Sequence, residues 1–152
     1  MTILATIRPH SWDFPLFLHV LGAMILVGGL LTGASSLALA RGDVRYLRLG
    51  YFSLLAVALP GWILMRIGAE WIASKEGWTA KGAPTPTWLG IGFVLADAGG
   101  LILLVSLVAG GIGVRRLRAH KGTGLLKATL VLSIALLAAY IVAVWAMAGK
   151  PN

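Results

Sequence analysis

Four uninterrupted apolar runs decide what this chain can become: Phe14 to Ala40, Gly50 to Ala73, Trp88 to Val114 and Leu125 to Met147. Each exceeds the roughly 20 residues that a helix needs to cross the hydrocarbon of a bilayer. The runs are continuous, whereas a transmembrane strand would alternate lipid-facing and lumen-facing residues at every second position. The predicted fold class is therefore all-α, an integral membrane four-transmembrane-helix bundle. One membrane domain occupies 1-152, with helices at about 14-40, 50-73, 88-114 and 125-147. The first run lacks a short apolar segment followed by a small-residue cleavage pattern, so it reads as a retained helix and not as a signal peptide. Hydrophobic residues make up 59% of the chain and charged ones 12%, which excludes an ordinary soluble domain. The absence of cysteine excludes disulfides, thiolate metal sites, thiol redox chemistry and thioether-linked haem.

Lys and Arg lie almost wholly between the apolar runs. Eight fall in the first and third connections, at Arg41, Arg45, Arg48, Arg115, Arg116, Arg118, Lys121 and Lys127. Four, Arg8, Lys75, Lys81 and Lys150, fall on the other side. The positive-inside rule then places both termini outside and both basic connections in the cytoplasm. The net charge of +8 is accounted for by topology and anionic headgroups, and nucleic acid is set aside as a partner. Trp12, Trp71, Trp78, Trp88 and Trp145 fall near the predicted outer boundary, where indole rings sit at headgroup depth, and Trp62 falls mid-helix. The stretch Lys75 to Thr87, with Gly77, Gly82, Pro84 and Pro86, is the one extended irregular segment. It reads as a solvated linker or as a short cap over the outer mouth.

Lipid removes the hydrophobic drive for helix association, so contact depends on close backbone approach between small residues. Gly22, Gly29 and Gly33 in the first helix and Gly99 and Gly100 in the third, beside Gly92, Gly110, Gly111 and Gly113, predict that these two helices form a tightly packed pair. A face for another subunit or for a planar cofactor is the functional alternative. Pro60 cannot donate to the carbonyl of Ala56, which predicts a kink, a bound water or a neighbouring hydroxyl there, with Ser53 close by in sequence.

Four ionisable residues lie where hydrocarbon makes them expensive: His19, Arg66, Glu70 and Asp97. A charge at the centre of a helix costs roughly 2.5 to 3.5 kcal/mol on insertion scales, so these groups are predicted to face the bundle interior and to find one another. Counted at about 1.5 Å per residue, all four fall in the outer half and one layer can hold them. Arg66 and Glu70, four apart, share a helical face. One guanidinium cannot fully satisfy two separate carboxylates, so either His19 is protonated or one carboxyl keeps its proton. The cluster reads as a charge knot that fixes register, or as a site for a proton, an ion or a polar headgroup. His19 by itself is a candidate ligand for haem b or a quinone. His10 precedes the first helix and His120 lies in a basic connection, which disfavours bis-histidine haem within one chain. Arg66 would oppose a cation at the carboxylates, so no metal site is predicted, and no nucleophile or hydrolase motif supplies a catalytic residue.

The stretch Leu18-His19-Val20-Leu21-Gly22-Ala23, continuing to Gly28 and Gly29, is followed by a basic connection, by Leu59-Pro60-Gly61 with Gly68, and by Trp88-Leu89. This pattern resembles a family of bacterial predicted integral membrane proteins, domain-of-unknown-function 2269, and more distantly the copper-resistance D membrane proteins. The resemblance covers most of the first three helices. It implies a four-crossing fold in a bacterial inner (cytoplasmic) membrane and carries over no catalytic residue.

The expected function is non-enzymatic: an accessory or assembly subunit that packs through its glycine-rich faces against a larger membrane complex or against further copies of itself. Two alternatives stay open. One is a haem- or quinone-associated redox protein using His19; the other is a proton or small-ion pathway through Arg66, Glu70 and Asp97.

Overall fold

The computed structural model describes residues 10–80, 82, 86–119 and 122–149. Arg8, Lys81, Lys121 and Lys150 of the charge count, together with Pro84 and His120, lie outside them. A single 3-10 turn, His10–Trp12, leads into α1, Asp13–Leu39. The second span consists of α2, Val44–Ser53, a π turn, Leu54–Ala58, and α3, Leu59–Lys75. The third is α4, Thr87–Arg118, and the fourth is α5, Gly124–Gly149. All four spans are long and apolar enough to cross a membrane. The fold is an all-α four-helix bundle of a multi-pass membrane protein.

The helices run past the apolar runs at their basic ends. Arg45 and Arg48 lie within α2, and Arg115 and Arg116 extend α4, so the first basic connection shrinks to a tight turn. Arg41 and Gly42 take φ of 40° and 93° there, the left-handed region in which glycine carries no steric penalty. Asp43 then caps α2, its carboxylate accepting from the Arg45 amide at 2.8 Å.

Around the bundle the spans stand in the order second, first, fourth, third. The first span packs along the whole of the second, and α4 packs along α5. The first span also meets α5, while α4 makes looser contact with the second span. The first and third spans are therefore diagonal and do not form the close pair that their glycines predict. Those glycines face other partners. A Cβ at Gly29 would stand 2.5 Å from the Ala58 nitrogen, one at Gly22 would stand 2.7 Å from the Met65 Cα, and one at Gly33 would meet the Leu54 side chain at 2.7 Å. The second span answers with Gly50, Gly61 and Gly68, set against Leu37, Leu26 and His19. On α4, Gly99 receives the Tyr140 hydroxyl of α5 and Gly100 receives the Trp62 indole of α3. Small residues mark where backbones approach; their spacing along one helix does not name the helix that approaches. Between these contacts lies a core of Leu26, Leu30, Leu54, Leu103 and Leu136, each almost wholly buried.

The π turn is what the chain does about Pro60. The Leu59 amide donates to the Leu54 carbonyl, five residues back, so one widened turn absorbs the mismatch that the proline creates. Ser53 is not used there. Its hydroxyl instead donates to the Gly29 carbonyl of α1 at 3.0 Å, tying the first two spans together at a buried point. Ser53→Ala is expected to destabilise the bundle by about 0.6 kcal/mol, the average for interhelical hydrogen bonds in a membrane, as read by unfolding in mixed micelles.

Candidate functional site

Arg66 and Glu70 sit on adjacent turns of α3, and Asp97 faces them from α4. Nine residues separate Arg66 from the end of α3, and ten separate Asp97 from the start of α4. At 1.5 Å per residue, that places both about 14 to 15 Å inside the helix ends, at matching depth. The Arg66 Nε donates to Asp97 Oδ1 at 2.8 Å. Its Nη1 stands 2.5 Å from Glu70 Oε1, an ion pair by distance that falls outside hydrogen-bond geometry. The guanidinium carbon lies 5.3 Å from the centre of the Phe93 ring, one turn before Asp97, which adds a cation–π contact. One guanidinium thus serves two carboxyl groups from two spans.

The site opens outward. Arg66 is mostly covered, with 22% of its side-chain surface accessible, but Glu70 and Asp97 expose 51% and 59%. The expected interior placement does not hold. The reason is the looseness of the seam between α3 and α4: Arg66 reaches across it from α3, and the carboxylates meet it from the rim. Beside Arg66 and Glu70 an open depression of about 650 Å³ extends past Ile67 and Trp71 to Ser74 and Thr79.

Trp62, one turn before Arg66, carries the other half of the crossing. Its indole Nε1 donates to the Ala96 carbonyl at 2.9 Å, with the ring seated in the space left by Gly100. Trp62 and Arg66 therefore grip α4 at consecutive residues, Ala96 and Asp97. In the sequence Trp62 stands out only by falling mid-helix, away from the other tryptophans. Its signal was the four-residue spacing to Arg66.

His19 does not join the cluster. Its Nδ1 lies 3.0 Å from the Met65 carbonyl oxygen, and its backbone packs on Gly68. A carbonyl can only accept, so Nδ1–H is the donor. Met65 and Arg66 are neighbours in sequence but stand about 100° apart around a helix, which puts the imidazole and the guanidinium on different faces of α3. The other described histidine, His10, is exposed before α1, 3.4 Å from Asp13. His19 is not among the residues that line the depression beside Arg66. Among the described residues, no group of three His, Cys, Asp or Glu stands close enough to hold a metal ion.

Comparison of the chain with protein-family models, with curated proteins and with solved structures finds no match. The resemblance to the domain-of-unknown-function 2269 family accordingly rests on the residues quoted for it.

Proposed function

We propose that this protein is an accessory or assembly subunit of a larger membrane complex, held there by a partner helix that presents a basic side chain to Glu70 and Asp97. The observation that carries this reading is the outward exposure of two carboxyl groups, Asp97 well inside its span and Glu70 one turn nearer the helix end, around a single guanidinium. Left against lipid tails, the second carboxyl must keep its proton or bear an uncompensated charge; a cation from a neighbouring helix would supply its counter-ion and give the partner its register. The glycine faces are not the docking surface in this reading, because Gly22, Gly29, Gly33, Gly99 and Gly100 are all occupied by contacts within the chain.

The test is a photo-crosslinking residue at Val94 or Leu101, which flank Asp97 at helical spacing and are 66% and 65% exposed, with the equally open Val131 of α5 as control. A discrete adduct with a second membrane chain is expected from positions 94 and 101 and not from 131. Equal, diffuse labelling from all three positions would count against a partner at this face.

A second reading uses the same carboxylates as a proton or small-ion pathway. It is favoured by the open depression that runs from Arg66 and Glu70 to Ser74 and Thr79 near the end of α3, which leaves Glu70 open toward the helix end. In liposomes it requires a proton flux that Asp97→Asn abolishes; an unchanged flux excludes it.

A further inference from the structure

Away from the polar site, toward the basic end of the bundle, the same loose seam becomes a groove. It has a volume of about 570 Å³ and lies between the second span and α4, with Tyr51, Phe52, Leu55, Leu104 and Val108 on its walls and Arg115 at its end. Phe52, Leu55, Leu104 and Val108 are exposed, so the walls are apolar and open sideways to the surroundings of the bundle. Gly111 keeps the Tyr51 ring close to α4: a Cβ there would stand 3.1 Å from the tyrosine hydroxyl. The charge around the mouth is one-sided. Arg41, Arg45, Arg48, Arg116 and Lys127 accompany Arg115 at this end, and the carboxylate described among them, Asp43, is held by the α2 amide that it caps.

We propose that the groove is a binding site for an acidic phospholipid, with one acyl chain lying along Leu55, Leu104 and Val108 and the phosphate on Arg115. The apolar walls match the chain. The basic mouth matches an anionic headgroup at the depth where such headgroups lie. Tyr51, apolar in its ring and polar at its tip, stands where the two regions meet. A second copy of this chain is a poorer occupant, because a symmetric contact would bring its own arginines against this cluster.

The experiment places the full chain in phosphatidylcholine vesicles containing spin-labelled phosphatidylglycerol or spin-labelled phosphatidylcholine and compares the immobilised lipid. The wild type is expected to prefer phosphatidylglycerol. Arg115→Gln should lower that preference about fivefold, the effect of one basic residue acting on an anionic headgroup, while Arg41→Gln, off the groove, should lower it much less. Val108→Trp, which fills the groove and leaves every charge in place, should reduce the immobilised phosphatidylglycerol. Equal losses from Arg115→Gln and Arg41→Gln would show a diffuse basic surface and overturn the proposal. Unchanged immobilisation in Val108→Trp would overturn it as well, as would cross-linking between copies at position 108 with no change in bound lipid. None of these outcomes depends on a partner at Asp97.

Discussion

Gly61→Leu is expected to separate the first two spans and to destabilise the bundle by about 3 kcal/mol or more, at the upper end of what overpacking costs. A Cβ at position 61 would lie 2.5 Å from the Leu26 nitrogen and 2.9 Å from its Cα. Backbone cannot swing aside as a side chain does, so either the helix axes part or the contact is lost along its length. Gly28 is the internal control. It lies one residue from Gly29 on the same helix, yet a Cβ there would meet nothing within 4 Å. Gly28→Leu should change stability by no more than about 0.5 kcal/mol. Unfolding of the two variants in mixed micelles, side by side, separates loss of packing from any general effect of replacing glycine in a membrane helix. Similar losses in both would mean that the first and second spans do not meet as described.

Arg66→Met should be the most damaging change outside the glycine contacts. It removes the hydrogen bond to Asp97 and the ion pair to Glu70 together and leaves both carboxyl groups without their cation. Breaking a buried pair costs about 3 to 5 kcal/mol; the partial exposure of both carboxylates lowers the expectation here to about 2 to 3 kcal/mol. The diagnostic result is rescue. Arg66→Met combined with Glu70→Gln and Asp97→Asn removes the stranded charges and should recover most of the lost stability, because the Trp62 grip on Ala96 still holds α3 to α4. If the triple variant were as unstable as Arg66→Met alone, the guanidinium would matter for its packing on Phe93 and not for its charge.

The spans were legible in the sequence because an apolar run of this length has few other uses. Their ends were less so. Hydropathy stops at Arg45 and Arg48, but the helix does not, since long basic side chains can lie along a helix and keep their charges in water. Asp43 before Val44 is a start signal for α2 in the sequence itself. Pro60 announced a disturbance without its form, and the π turn is one of several ways to accommodate a missing donor.

For the site, the sequence supplied depth but not direction. Arg66, Glu70 and Asp97 fall at one level by counting residues, and the structure joins them. His19 falls near the same level and goes elsewhere, because its place around the α1–α3 contact is set by Gly68 and Met65. The expectation that charges turn inward treats the chain as alone in lipid. Outward carboxylates make sense where lipid is not what they face.

The proposed assembly requires that the carboxylates on the α3–α4 seam meet a cation carried by another chain. Gentle detergent extraction from the native membrane, followed by identification and stoichiometry of what co-purifies, tests it most directly. The wild type should carry another integral membrane chain with a basic residue inside one of its spans, and a folded Glu70→Gln/Asp97→Asn variant should emerge without it. A wild type that runs as a lone monomer, indistinguishable from that variant, would contradict the claim.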